Sequence, residues 1–196
     1  MLLQQSTVGV DGADRLAGVA EKLGLVYVDA PVLGTRKPAE EGALTVLASG
    51  PAEVRDRVEP VLDAIGSRTI WLGAAGQGSR LKLVANSWVL TVVEGIAESL
   101  TLAKALGVEP AAFLDVVKGG AMDAPYVQLK GSAMLEGNFE PAFGLDGAAK
   151  DAGLIVAAAR AAGADLAVLE AVQGHLARAV DAGHGGLDMA ATYLAH

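Results

Sequence analysis

The stretch GQGSRLKLVANSW, Gly76 to Trp88, sets Lys82 and Asn86 four residues apart in a segment otherwise suited to a protein core. Residues four apart share one face of a helix. A helix from about Ser79 to Leu106, closed by Gly107, is expected here, far longer than the average of roughly 11 to 12 residues, and so a central element. Leu83, Val84, Val89, Leu90, Val92 and Val93 leave little of it for solvent. An amine held in such a setting loses hydration, which draws its pKa toward neutrality, where it both gives and takes a proton. Asn86 adds a donor and an acceptor that cannot titrate, suited to fixing a substrate hydroxyl.

On either side of this stretch the chain has two rhythms. Before it, LLQQSTV, LVYVDAPV, LTVLAS and RTIWLG are short apolar runs bounded by Gly, Pro or Asp, the pattern of buried strands. Between them, DRLAGVAEKLG ends on Gly24, and PAEVRDRVEPVLDAIG starts with Pro51 and stops at Gly66; both read as helices. VYVDAPV and LTVLAS are joined by a loop instead of a helix. A small mixed sheet flanked by helices is the expected product. After Gly78 the strand signals vanish, and shorter helices are expected at PAAFLDVVKG, APYVQLKGSAM, LDGAAKDAGLIVAAARAAG and LAVLEAVQGHLARAVDAG.

Composition narrows the function. With 196 residues and 52% hydrophobic content the chain is expected to bury a real core, which argues against disorder. A formal charge of -8 with scattered basic residues repels phosphate backbones, so nucleic acid is not an expected partner. No segment reaches the roughly 20 apolar residues of a membrane span. MLLQQSTVGVDG lacks the basic start and apolar length of a signal peptide, and cysteine is absent, so the reading is cytoplasmic. His175, His184 and His196 read as surface histidines without a carboxylate at ligand spacing; no metal is expected. No GxSxG elbow accompanies the serines, which argues against a serine hydrolase.

The word GxGxxxKxxxN (Gly76, Gly78, Lys82, Asn86), with DAPVLGTRKPAEEG from Asp29 to Gly42 and the pair Lys150-Asp151, resembles the β-hydroxyacid dehydrogenase family. The family includes 3-hydroxyisobutyrate dehydrogenase, 6-phosphogluconate dehydrogenase and the glyoxylate/succinic semialdehyde reductases. KPAEEG and the segment from Gln128 to Phe143 look most like the reductase branch. The resemblance covers essentially the whole chain. It implies the C-terminal part of a Rossmann-type α/β domain over residues 1–75, followed by an all-α domain of the 6-phosphogluconate dehydrogenase C-terminal type over 76–196.

It also implies an NAD(P)-dependent oxidoreductase interconverting a small hydroxy acid and its aldehyde or keto acid. Lys82 matches the catalytic acid/base and Asn86 its substrate-orienting partner. Thr7 and Lys150 match cofactor contacts, and Phe143 and Asp151 fall where the reductase branch has further active-site residues, Asp151 being assigned to the cofactor. Leu33, Gly34 and Thr35 occupy the substrate loop. Leu33 stands where that loop carries a serine, so the backbone N–H groups of Gly34 and Thr35 are left to bind a carboxylate. A homodimer through the helical domains is implied, with NADP or NAD as cofactor and NADP favoured by the reductase branch.

One feature of the family is missing. No GxGxxG is present, and by the resemblance Met1 is expected to fall at the start of a late strand of the dinucleotide-binding domain, after the family's N-terminal βαβ unit. The chain reads as a fragment that binds cofactor weakly. The alternative reading is a non-catalytic dimerising module.

Overall fold

The structure, a computed structural model, describes residues 1–196 throughout. The order is β1 (Leu2–Gln4), α1 (Gly9–Lys22), β2 (Tyr27–Asp29), β3 (Val32–Leu33), α2 (Arg36–Glu40), β4 (Leu44–Ala48), α3 (Arg55–Ile65) and β5 (Gly66–Trp71). Helices alone follow: α4 (Gln77–Ala105), α5 (Ala111–Val117), α6 (Pro125–Glu136), α7 (Leu145–Ala161) and α8 (Ala167–Ala179). A π turn at Val180–His184 and a 3-10 helix at Met189–Ala195 end the chain. Two compact units form, Met1–Asn86 with Ala157–Ala164, and Ser87–Val156 with Asp165–His196.

In the first unit β1 pairs in parallel with β2, β3 is antiparallel to β4, and β4 is parallel to β5. The expected single strand VYVDAPV divides in two. Its first half pairs with β1, Gln4 against Asp29, while the second half pairs with β4, Val32 against Val46 and Leu33 against Thr45. Pro31 lies between the halves; it has no N–H to continue a ladder, although its carbonyl accepts from Leu47 N at 2.8 Å. A bridge of Asp29 with Ser49 keeps the register of the second ladder. The loop expected after this strand holds the short helix α2, which the isolated charge pattern of RKPAE did not disclose. The core is Val28, Ala30, Val46, Ala48, Val54, Val58 and Leu62. Each fully buried Val or Leu contributes roughly 1.5–3 kcal/mol.

Glycines end three of the helices, two of them, Gly24 and Gly107, as expected from the sequence. Gly24 (φ 64°) follows α1, Gly107 (φ 71°) follows α4 and Gly137 (φ 67°) closes α6, all in the left-handed region that L side chains avoid. In the second unit Leu90, Leu100, Leu145, Leu176 and Met189 are fully buried or nearly so.

The structure changes the reading of α4 in two ways. Val84 and Trp88 are exposed, 64% and 70%, so one face of this helix is open. At 29 residues it is also long and apolar enough to cross a membrane, contrary to the expectation from the interrupted apolar runs. Of its most apolar window 44% is buried inside the chain.

Candidate active site

The start of α4 is fixed by a polar hub at the joint between β2 and β3. Asp29 is fully buried. Its carboxylate accepts from Ser79 N at 2.7 Å and from Ser79 Oγ at 2.8 Å, which places a tertiary cap on the first turn of the helix. Ser49 Oγ accepts from Gly78 N at 3.0 Å and donates to the Asp29 carbonyl at 3.2 Å. Burial, the largest influence, pushes the Asp29 carboxyl upward; the hydrogen bonds from Ser79 and Ser49 and the charge of Arg80 recover only part of that.

This hub explains the two glycines of GQGS. Gly76 has φ 89°. At Gly78 a Cβ would lie 2.2 Å from the Leu47 carbonyl oxygen and 2.9 Å from that of Asp29. Only glycine lets the helix backbone approach the strands so closely. The glycines therefore serve docking of the helix, and from that docked turn the helix carries Lys82, half-buried, and Asn86, 5% exposed, on one face.

Leu33 and the loop after it begin four residues beyond Asp29, at the end of β3. Gly34 has φ 128°, and a Cβ there would meet Leu44 Cδ2 at 2.6 Å. Thr35 is the N-cap position of α2, with no side-chain cap of its own. Thr7 lies at the carboxyl end of β1, in the turn to α1 of a parallel β1–α1–β2 unit, the side on which open α/β sheets bind ligands.

The remaining predicted residues belong to the second unit. Lys150 and Asp151 on α7 form an ion pair of 2.9 Å with unequal partners: the lysine side chain is 55% exposed, the aspartate 3%. Phe143 precedes α7, and Gly147 makes room for its ring, since a Cβ there would sit 3.1 Å from Phe143 Cε2.

A second hub holds Phe143, and no local spacing reveals it. Asp188 Oδ2 accepts from the backbone N–H of Ala142 and Phe143 at 3.0 and 3.2 Å. Its Oδ1 accepts from Lys130 Nζ at 2.6 Å and from Ala190 N at 3.0 Å. Met189 N donates to the Phe143 carbonyl at 2.9 Å. Burial pushes the Asp188 carboxyl up, but the hydrogen bond and charge of Lys130, with the N–H donors, outweigh it and hold the group below the usual carboxylate range. The Lys130 ammonium also lies 5.6 Å from the centre of the Tyr126 ring. Desolvation, with Asp188 nearby, raises the Tyr126 phenol. The only advance signals were Lys130 in an apolar helix and Asp188 before a small-residue tail, 58 positions apart.

The histidine reading is corrected. His175 Nδ1 and His196 Nε2 face the buried Glu94 carboxylate at 2.8 and 2.6 Å, so these two do have a carboxylate partner, supplied by a residue remote in sequence.

Two family models match the chain. One, described as NAD-binding of NADP-dependent 3-hydroxyisobutyrate dehydrogenase, matches residues 76–195; the other, described as the NAD binding domain of 6-phosphogluconate dehydrogenase, matches residues 1–73. Glyoxylate/succinic semialdehyde reductase 2, chloroplastic, of Arabidopsis thaliana is 34% identical over 146 residues, 74% of this chain and 41% of the relative. Glyoxylate/succinic semialdehyde reductase 1 of the same plant is 31% identical over 189 residues, 96% and 65% of the two. The chain thus spans less than two thirds of either reductase. The crystal structure of 3-hydroxyisobutyrate dehydrogenase from Salmonella typhimurium has a TM-score of 0.89 at 28% identity, covering 99% of this chain and 68% of that one. The α/β part followed by helices is the architecture of that neighbour. With both halves matched in order, the chain belongs to the β-hydroxyacid dehydrogenase family.

Proposed function

We propose that the chain carries the reaction machinery of an NAD(P)-dependent oxidoreductase interconverting a small hydroxy acid and its aldehyde or keto acid, of the 3-hydroxyisobutyrate or glyoxylate/succinic semialdehyde type. The observation that carries this reading is the Lys82–Asn86 face of α4, launched from the Asp29–Ser79 cap beside the strand that leads into Leu33, Gly34 and Thr35. In this reading residues 1–75 serve the cofactor, and 76–196 the substrate and dimerisation.

The nicotinamide, when bound, supplies or takes the hydride. In reduction the Lys82 ammonium gives its proton to the carbonyl oxygen, so that hydride and proton together make the alcohol. In oxidation the neutral amine takes the hydroxyl proton back. Asn86, buried and without a titratable proton, orients the oxygen that changes protonation. Leu33 offers no hydroxyl, and the backbone of Gly34 and Thr35 holds the substrate carboxylate. Phe143, whose backbone is held by Asp188, is assigned to substrate binding by its match to the reductase branch. Thr7 fits a cofactor contact by its place at the carboxyl end of β1; Lys150 supplies a cation toward the cofactor, and Asp151 holds that cation. NADP is favoured over NAD by the description of the family model for residues 76–195.

A homodimer belongs to the same proposal, supported by the apolar side chains that the second unit leaves exposed, among them Trp88, Leu106, Val116 and Met122. So does a cytoplasmic setting, supported by the absence of cysteine. The direct test is oxidation of NADPH by the natural full-length protein with glyoxylate, succinic semialdehyde and related short aldehydes and keto acids. Turnover of at least one is expected; inactivity with all of them, in both directions and with both cofactors, overturns the proposal.

A further inference from the structure

We propose that Glu94, His175 and His196 form a binding site for one divalent transition-metal ion of the zinc class. The three residues come from α4, from α8 and from the chain end after the 3-10 helix, all within the second unit. Their side chains are 5%, 21% and 9% exposed. Glu94 Oε1 lies 2.6 Å from His196 Nε2 and 2.8 Å from His175 Nδ1, and the two nitrogens are 3.2 Å apart. Three lone-pair atoms thus make a triangle with sides near 3 Å. Neighbouring ligands of an ion bonded at roughly 2.0–2.2 Å have about that separation, so one ion above the triangle reaches all three with little movement.

Without an ion the arrangement is crowded. Both imidazole nitrogens point a hydrogen at the same carboxylate oxygen, or one of them turns its lone pair to it. A single cation satisfies the oxygen and both nitrogens together, with neutral imidazoles as ligands. The other carboxylate oxygen, Oε2, is already engaged by Thr192 Oγ1 at 2.8 Å, which leaves Oε1 as the single donor and fixes its direction, as outer-shell partners of metal ligands do. The donor set of two imidazoles and one carboxylate suits zinc, cobalt, nickel or iron and is poor for magnesium or calcium, which prefer oxygen. An ion here ties the chain end to α4 and α8. It takes no part in the oxidoreductase reading.

The test uses the protein without a polyhistidine tag, stripped by chelator. Titration with Zn2+ is expected to show one ion per chain with a dissociation constant of micromolar or tighter, Co2+ to give the visible absorption of a nitrogen- and oxygen-ligated ion, and Zn2+ but not Mg2+ to raise Tm. His175→Ala and, separately, His196→Ala are expected to weaken Zn2+ binding by about 100-fold or more, since losing a ligand costs at least what losing an outer-shell partner does. Both histidines are at the edge of the unit, so circular dichroism can verify that these variants fold, which the buried Glu94→Gln variant does not guarantee. No saturable Zn2+ uptake, or uptake unchanged in both histidine variants, overturns the site and leaves a hydrogen-bonded clamp.

Discussion

Asp29 in the first unit and Asp188 in the second are equally buried, 0% and 3% exposed, and each fixes a segment of the proposed active site. Asp29 holds the first turn of the lysine helix; Asp188 holds the backbone of Ala142 and Phe143. Their carboxyls are nevertheless displaced in opposite directions, Asp29 upward and Asp188 downward. Burial is the largest influence on both and favours the protonated form in both. What differs is the partner: Asp29 is hydrogen-bonded by neutral serines and amides, with Arg80 acting at a distance, whereas Lys130 places an ammonium 2.6 Å from Asp188. Neutral donors place a helix start and offset burial only in part, whereas a charged donor outweighs burial and favours the ionised form.

The comparison breaks most readily at the charged hub. Asp188→Ala leaves the Lys130 ammonium buried without its counter-ion and is expected to destabilise the protein by about 3–5 kcal/mol, measured by urea unfolding; a loss below about 1 kcal/mol would show that Lys130 finds water. Next comes Gly78→Ala, whose Cβ is placed 2.2 Å from a backbone oxygen that cannot move alone. It is expected to cost about 3 kcal/mol, the upper end for overpacking, and an unchanged midpoint of unfolding would contradict the close docking of α4. Asp29→Ala removes only neutral hydrogen bonds and should cost about 1–3 kcal/mol in the same measurement. A loss as large as that of Asp188→Ala would erase the distinction.

The smallest effect sharpens it through pH. Asp29, with its folded pKa raised, contributes fully below the unfolded value near 3.8 and loses that contribution as pH rises through the folded value. Asp188, with its folded pKa lowered, contributes fully above 3.8 and loses it as pH falls. The destabilisation by Asp29→Ala is therefore expected to be larger near pH 4 than at pH 7, and that by Asp188→Ala smaller well below pH 3.8 than at pH 7. Unfolding of both variants across this range checks the two signs; parallel behaviour would refute the opposition.

What the sequence discloses is mostly local. Glycines at 24, 66 and 107 mark ends of elements because backbone conformation is decided by neighbouring residues. The length of α4 and the shared face of Lys82 and Asn86 follow from helical period alone. The hubs are not local. Asp29 meets Ser79 across 50 positions, Lys130 meets Asp188 across 58, and His196 meets Glu94 across 102. No periodicity encodes such pairs, which is why the histidines were read as surface residues and VYVDAPV as one strand with one set of partners. Exposure of Val84 and Trp88 was equally hidden, since an apolar side chain facing solvent and one facing a core read alike.

The account depends above all on Lys82 as the acid/base. The direct measurement is steady-state turnover of Lys82→Ala in the natural full-length protein, including any residues that precede Met1, on its best short-chain substrate, with cofactor affinity measured alongside. Turnover is expected to fall by roughly 10²–10⁴-fold with cofactor affinity little changed, the scale on which a positioned proton transfer contributes. Turnover near that of the unaltered protein would contradict the assignment.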